Sequence, residues 1–304
     1  MNTTTNTTTR SAFGIGADLR DGYAEVGDDV TLHYVEAGTG PLVVLLHGFP
    51  EFWYGWREQI APLVQAGYRV VAPDLRGYNL SSKPADFTDY TADKPAADIA
   101  ALIRALGGGT ATVVGHDWGG SIAWTLAMNS PEVVERLVVL NAAHPRKLNE
   151  GLKSPRQLER SWYFFYFQLM GTPERHAAKD DWKFFTRFFR DAQPAYTADE
   201  LDRYREAWSQ DGAATGMIDY YRAAVRLGSK QKVLTVTAPT LVIWGEQDRF
   251  LGSDLAEPHA EDVPNLVAVE RLENASHWVH HDEADRVNRL LLDFLGGAGD
   301  DERR

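Results

Sequence analysis

Three features of the sequence predict an α/β fold with a mostly parallel central sheet and an inserted helical cap. Short apolar runs alternate with stretches of helical length through the first half of the chain. From Pro145 to about Ser229 aromatic and charged residues at helical spacing replace that rhythm, with no clear β-run. Strand-like segments then return, followed by an amphipathic helix. Repeated strand–helix order is the pattern of a parallel sheet flanked by helices.

The polar opening, MNTTTNTTTR, reads as part of a disordered tail covering residues 1–18. The first part of the core is expected over 19–144. Its strands fall at Val30–Glu36, Leu42–Leu46, Arg69–Ala72, Ala111–Val114 and Leu137–Leu140, and its helices at Trp56–Ala66, Ala96–Leu106 and Gly120–Asn129. In the second helix Ile99, Leu102, Ile103 and Leu106 share one face, as a helix packed on a sheet requires. The cap is expected over 145–230, marked by SWYFFYFQLM, WKFFTRFFRDA and YYRAAVRLG; apolar faces this dense need a partner to pack against. The core resumes over 231–296, with strands at Thr240–Trp244 and Leu266–Val269 and a helix from about Glu283 to Phe294, and 297–304 reads as a solvated tail. A cap over the C-terminal ends of parallel strands would enclose a site where such sheets bind ligands, and would exclude bulk water.

The 304 residues suffice for one large core carrying a smaller insertion. A formal net charge of -12 repels phosphate backbones and anionic lipid, so neither nucleic acid nor membrane is an expected partner. Cysteine is absent, which excludes disulfides, thiolate catalysis and cysteine metal sites. The start lacks the apolar stretch of a secretory signal, and runs such as LVVLL at 42–46 are too short to span a bilayer. The expected location is the cytoplasm, the expected partners are a small molecule and water, and a homodimer is left open.

The most informative string is VVGHDWGGSIAW, Val113 to Trp124. An apolar strand enters Gly115-His116-Asp117-Trp118-Gly119 and leaves directly as an apolar helix. The string resembles the strand–turn–helix nucleophile corner of α/β-hydrolases, with aspartate in the nucleophile position. Glycines remove side chains that would collide around such a corner, and the helix N-terminus favours an anion there. The plainer alternative makes Asp117 an ordinary N-cap. Two other segments argue for the nucleophile. Leu45-Leu46-His47-Gly48-Phe49-Pro50 follows a strand and could bring the Phe49 N–H beside Asp117, to form an oxyanion hole with the Trp118 N–H. His47 reads as a structural loop histidine. Asp248, in the loop after the Thr240–Trp244 strand, and His277, in a polar loop before the last helix, follow Asp117 in the order of a triad. Asp248 would orient His277, and His277 would activate water; Glu246 is the alternative acid.

An aspartate attacking an sp3 carbon forms an alkyl ester that water can cleave, whereas attack on an ester or amide would give a costly anhydride. Substrates with strained or good leaving groups, epoxides or alkyl halides, are therefore favoured. His280 and His281 read as the solvated start of a helix. His33, His144, His176 and His259 are scattered singly, so no metal and no cofactor are expected.

HGFPEFWYGWR (His47–Arg57), DLRGYNLSSKP (Asp74–Pro84), GHDWGG (Gly115–Gly120), WGEQD (Trp244–Asp248) and ASHWVHHD (Ala275–Asp282) closely resemble α/β-hydrolase-fold epoxide hydrolases, over about residues 20 to 296. Haloalkane and haloacetate dehalogenases look similar over much of that length. The resemblance implies hydrolysis of an epoxide to a vicinal diol through an ester on Asp117, with two cap tyrosines holding the epoxide oxygen. Tyr163 and Tyr221 match those tyrosines, with Tyr166 and Tyr220 as neighbouring alternatives, and Pro50, Tyr166 and Trp278 are implied to line the substrate site. Phe164, Phe165 and Phe167 read as cap core. Dehalogenase readings each lose a residue: no arginine follows Asp117 to hold a haloacid's carboxylate, and Phe49 stands where haloalkane dehalogenases place asparagine. Trp118, however, is shared with the latter. Asn79 stands where glycine is common, and asparagine tolerates the left-handed conformation such a place requires. A third reading, a non-catalytic receptor for a small ligand, would leave the complete set Asp117, Asp248 and His277 unused.

Overall fold

The computed structural model describes residues 3–6, 14–107, 109–228 and 233–296. Among them, nine strands form one sheet: β1 (Thr3–Asn6), β2 (Arg20–Gly27), β3 (Val30–Ala37), β4 (Leu42–Leu46), β5 (Arg69–Pro73), β6 (Ala111–His116), β7 (Val134–Leu140), β8 (Thr240–Gly245) and β9 (Leu266–Leu272). Their order is β1-β2-β3-β5-β4-β6-β7-β8-β9. β1, β2 and β3 pair antiparallel, as do β3 and β5, and every pairing from β5 across to β9 is parallel. The five apolar residues of β4 and all six residues of β6 are buried, the signature of strands covered on both faces.

Helices α1 (Arg57–Gln65), α2 (Asp93–Ala105) and α3 (Trp118–Asn129) connect the strands of the first half. Ile99, Leu102, Ile103 and Leu106 are all buried, as their spacing requires. Between β7 and β8 the described residues contain no strand. They form α4 (Pro145–Gly151), α5 (Pro155–Arg160), α6 (Trp162–Tyr166), α7 (Thr172–Ala177), α8 (Lys183–Thr186), α9 (Ala198–Trp208) and α10 (Ala213–Leu227). α11 (Val279–Asp282) and α12 (Ala284–Gly296) follow the last strand.

The inserted helices sit over the loops that leave the C-terminal ends of the parallel strands. Trp208 Nε1 donates to the Pro50 carbonyl at 2.6 Å, Tyr220 donates to the Arg76 carbonyl at 3.0 Å, and Trp278 donates to the Phe188 carbonyl at 3.1 Å. The sheet order reverses between β4 and β6, where the loop after β4 and the turn after β6 come together. Open α/β sheets bind ligands at such a point.

Two expectations require correction. β1 lies within the segment expected to be a disordered tail, pairing Thr3 with Ala24 and Asn6 with Asp21, and β2 was not foreseen. Edge pairing rests on main-chain hydrogen bonds, which a polar strand satisfies as well as an apolar one, and threonine is β-branched. The expected tail at 297–304 lies outside the described residues. Among those residues, no helix is long and apolar enough to cross a membrane.

Candidate active site

Asp117 stands between β6 and α3 with φ 51° and ψ −119°, a backbone conformation that bulky L residues rarely adopt. The corner is crowded enough to require glycine. A Cβ on Gly119 would collide with the carbonyls of Leu46 and His47, and one on Gly48 would collide with the Asp117 side chain. Asp117 makes no side-chain capping bond to α3. Its Oδ1 instead accepts the Phe49 N–H at 2.9 Å, as the oxyanion-loop expectation required. Trp118 is the first residue of α3, so its N–H has no partner within the helix.

Behind Asp117 lies His277. Its Nε2 is 3.4 Å from Asp117 Oδ2, and its Nδ1 is 2.7 Å from Asp248 Oδ2. Asp248 is buried and saturated. Oδ2 also accepts from Asn141 Nδ2 at 2.8 Å, and Oδ1 accepts the N–H groups of Phe250 and Leu251 at 2.7 and 3.0 Å. Burial opposes its charge, but the His277 contact and these donors keep its pKa below the usual carboxylate value. Burial likewise opposes an imidazolium at His277, yet the carboxylates of Asp248 and Asp117 outweigh it and raise its pKa to about 10. Glu246, the alternative acid, is turned away and paired with Arg271 at 2.6 Å.

Above Asp117 the aromatic residues divide by what their polar atoms do. Tyr163 of α6 and Tyr221 of α10 are buried side by side, ring centroids 5.5 Å apart. Burial is the first cause of their strongly raised pKa values, and the charge of Asp117 is the second for both. The Trp118 side chain also hydrogen-bonds Tyr221. The two neighbouring tyrosines are engaged elsewhere. Tyr220 is committed to the Arg76 carbonyl, and the Tyr166 hydroxyl bonds His176 Nδ1 at 2.8 Å.

Tyr166, Pro50 and Trp278, expected to line the substrate site, have their polar atoms engaged within the protein. Tyr166 packs on Phe184 as well as bonding His176. Pro50 is buried and supports Trp208 through its carbonyl. Trp278 is 1 % exposed, packs edge-on against His277 at 5.0 Å, and spends its indole N–H on Phe188. It buttresses the His277 ring. Helical neighbours diverge in direction, and spacing alone does not say which of two adjacent tyrosines points inward.

His280 and His281 are also corrected, since both are buried. His281 Nε2 donates to the Pro194 carbonyl at 2.7 Å, leaving Nδ1 to accept from Arg57 at 2.8 Å. His280 joins Glu51 and His116 in a group whose potential ligand atoms lie within 4.8 Å of one another, a set the sequence reading missed. Such a group could in principle hold a metal. The same atoms make hydrogen bonds: Glu51 meets His116 Nδ1 at 3.2 Å and His280 Nε2 at 3.4 Å, and accepts from the Tyr204 hydroxyl at 3.1 Å. Burial would raise the Glu51 carboxyl, but its contacts with the two histidines hold it well below its ordinary value. His116 Nε2 donates to the His277 carbonyl at 2.9 Å, which joins this cluster to the base. His47 is structural as expected: Nδ1 donates to the Gly48 carbonyl, Nε2 accepts the Leu75 N–H, and burial lowers its pKa. Asn79 adopts φ 38°, the left-handed conformation anticipated for it.

Asn141 was not foreseen. It sits immediately after β7 with φ 41°, accepts the Gly245 N–H at 2.9 Å and donates to Asp248. A polar residue directly after the apolar run Leu137–Leu140 was the available signal. Arg160, on α5, donates to the Asp248 carbonyl at 2.5 Å and ties the inserted helices to the acid loop.

The profile of the alpha/beta hydrolase fold family matches residues 41–284. An AB hydrolase superfamily protein, YfhM of Bacillus subtilis, is 44 % identical over 274 residues, covering 88 % of this chain and 94 % of that protein. Epoxide hydrolase 4 of Mus musculus is 39 % identical over 285 residues, covering 90 % and 79 % respectively. The chain belongs to the α/β-hydrolase-fold epoxide hydrolases. Its structure is similar to that of an inhibitor complex of Bacillus megaterium epoxide hydrolase, with a TM-score of 0.81 and 32 % identity over 90 % of this chain and 99 % of that one. An epoxide hydrolase from Vigna radiata superposes with a TM-score of 0.79 at 26 % identity, covering 92 % and 98 %. The chain is thus a hydrolase, built on the scaffold its strand–turn–helix corner implied.

Proposed function

We propose that the protein hydrolyses an epoxide to a vicinal diol through an ester on Asp117. The observation that carries this reading is the placing of Tyr163 and Tyr221 side by side above a carboxylate whose Oδ1 is already held by the Phe49 N–H. Phenols with raised pKa values stay protonated at neutral pH and are donors for a developing alkoxide. Asp117 Oδ2 attacks a ring carbon, the C–O bond breaks, and a tyrosine proton passes to the leaving oxygen. Water then attacks the ester carbonyl as His277 takes its proton; the tetrahedral intermediate collapses by breaking the acyl C–O bond to the substrate, His277 returns the proton to the departing diol oxygen, and the restored Asp117 carboxyl reprotonates His277. The Phe49 and Trp118 N–H groups stabilise the oxyanion, and Asp248 stabilises the imidazolium.

The charges time the two steps. In the free enzyme the carboxylates of Asp117 and Asp248 hold His277 as an imidazolium. Esterification removes the charge of Asp117, so the pKa of His277 falls, its proton passes to the tyrosinate left by ring opening, and the neutral ring becomes a base when a base is first needed.

A haloalkane needs side-chain donors for the departing halide. Phe49 supplies none, and the Trp118 side chain is engaged with Tyr221. Phenyl and alkyl epoxides, haloalkanes and fluoroacetate, assayed beside Asp117→Ala, test the reading. Diol is expected from epoxides with the unaltered protein alone. Halide release without diol would move the chain to dehalogenase chemistry and leave Tyr163 and Tyr221 as packing. The cap role of 145–230, a location in the cytoplasm and a partner set of small molecule and water belong to the same proposal. A homodimer would be decided by mass in solution.

A further inference from the structure

Nine large apolar side chains are exposed among the described residues, and five of them fall within residues 158–170 of the inserted helices. Leu158, Trp162, Phe165, Leu169 and Met170 are between 38 and 63 % exposed. Phe165, expected in the cap core, is therefore at the surface. The first four recur at helical spacing along one side of the nearly continuous path through α5, α6 and the turn that follows. The opposite side is spent on packing, with Gln157, Ser161, Tyr163 and Phe167 all buried. Apolar side chains scattered singly over a surface need no explanation, whereas a row of them marks a surface that meets a partner.

Charge identifies the partner. The chain carries a net charge of -12, yet residues 145–190 hold ten lysines and arginines against five aspartates and glutamates. Three of those acids are already paired: Glu150 with His259, Glu174 with Arg222 and Asp181 with Arg205. Lys153, Arg156, Lys179 and Lys183 are exposed and make no ion pair with another described residue. Lys153 and Arg156 flank the start of α5. Tyr166, 6.2 Å from Trp162, packs on Phe184 of α8 and bonds His176 of α7, so the segments bearing Lys179 and Lys183 adjoin the same row.

An anionic lipid surface fits both features. Tryptophan and phenylalanine suit the depth of the headgroups, and lysine and arginine side chains reach the phosphates around them. Most of the acids that make the chain anionic lie outside this segment, and charges farther off than about 8–10 Å are screened in physiological salt, so the repulsion expected of the whole chain does not extend to this face. A second copy fits less well, because a two-fold pair sets each patch on itself and opposes these cations to one another.

We propose that the row from Leu158 to Met170, with its lysine and arginine rim, is a peripheral docking surface for an anionic lipid bilayer. The helices lie on the bilayer and do not cross it. Docking of this kind does not depend on the epoxide reading.

Flotation of the full chain with vesicles is the test. The chain should bind vesicles of equimolar phosphatidylcholine and phosphatidylglycerol, and bind phosphatidylcholine alone more weakly. Trp162→Ser combined with Phe165→Ser should weaken binding to the mixed vesicles by at least about tenfold, the scale of two rings withdrawn from an apolar phase. Lys153→Gln, Lys179→Gln and Lys183→Gln should each weaken it about fivefold. No binding of the unaltered chain to the mixed vesicles, or binding that survives the paired serine substitutions, overturns the lipid surface. So does a mass of two chains in the absence of lipid that those substitutions return to one, since the row would then serve a second copy. Equal binding to both vesicle types, unmoved by the lysine changes, overturns the role of charge. A melting curve for each variant separates misfolding from lost docking, and the lysine variants, which remove no apolar side chain, decide the case if the serine variant does not fold.

Discussion

Asp248 and Tyr163 both lie near the Asp117 carboxylate, one from the sheet and one from the inserted helices, and they are held differently. Asp248 receives directed hydrogen bonds from His277, Asn141 and two backbone amides. Tyr163 is surrounded by ring faces: Phe164 at 5.1 Å, Tyr221 at 5.5 Å, Phe250 at 5.6 Å and Phe188 at 5.7 Å. Hydrogen bonds fix an angle and a distance, whereas ring packing tolerates small rotations with little loss. The sheet side therefore holds Asp117, His277 and Asp248 at fixed distances, while the helical side brings Tyr163 and Tyr221 beside them through packing that tolerates small shifts.

The sharpest break in that contrast comes from the base. His277→Ala should form the Asp117 ester and fail to release it, with steady-state turnover down by about 10² to 10⁴. Intact-protein mass spectrometry should show a rise equal to the mass of the epoxide, and normal turnover would remove His277 from its role. On the helical side, Tyr163→Phe and Tyr221→Phe should each slow ring opening by about 10²-fold, with release of preformed ester unchanged in single-turnover kinetics. If ester release slowed instead, the phenols would be acting in the second step.

A smaller effect tests the hydrogen-bonded side alone. Asn141→Ala deletes the donor to Asp248 and the acceptor for Gly245, and should destabilise the fold by about 1–3 kcal/mol, read from denaturant unfolding. The subtlest test is a titration of His277 by NMR. Its pKa, about 10 in the free enzyme, should fall in Asp117→Asn, because one of the two carboxylates that raise it is gone. Because the folded-state value lies above the ordinary 6.5, the stabilisation from this ring is complete below about 6.5 and is lost as pH rises through about 10. Asp117→Asn should flatten that alkaline loss. An unchanged titration would mean that Asp117 does not set the charge on the base.

The same division governs what could be read in advance. β4, β6, β7 and β8 each contain a run of apolar residues, and burial of such runs is almost independent of what packs on them. Gly115, Asp117 and Gly119 declare a corner because only glycine fits its inner side. Asp248 and His277 were legible from chain order and from the strands they follow. Asn141 escaped because its partner, Asp248, lies 107 positions away in sequence, and a polar residue after an apolar run does not by itself name that partner. His280 and His281 looked solvated because HHDEADR is polar, and they are buried because Glu51 and Arg57, from the other side of the sheet order, supply their partners.

The sequence by itself determined the scaffold, the glycine-lined corner that holds Asp117 and the chain order of Asp117, Asp248 and His277, since these rest on local sterics and on the period of apolar residues. Tertiary structure alone decided which tyrosines face Asp117. Tyr163 and Tyr166 share a short helix, and Tyr220 and Tyr221 are adjacent in another, so each pair carries the same chemistry at nearly the same place. His176 and the Arg76 carbonyl take the hydroxyls of Tyr166 and Tyr220, while Tyr163 and Tyr221 are left beside the nucleophile. A hydroxyl's role is set by the nearest acceptor in space, and periodicity does not encode that distance.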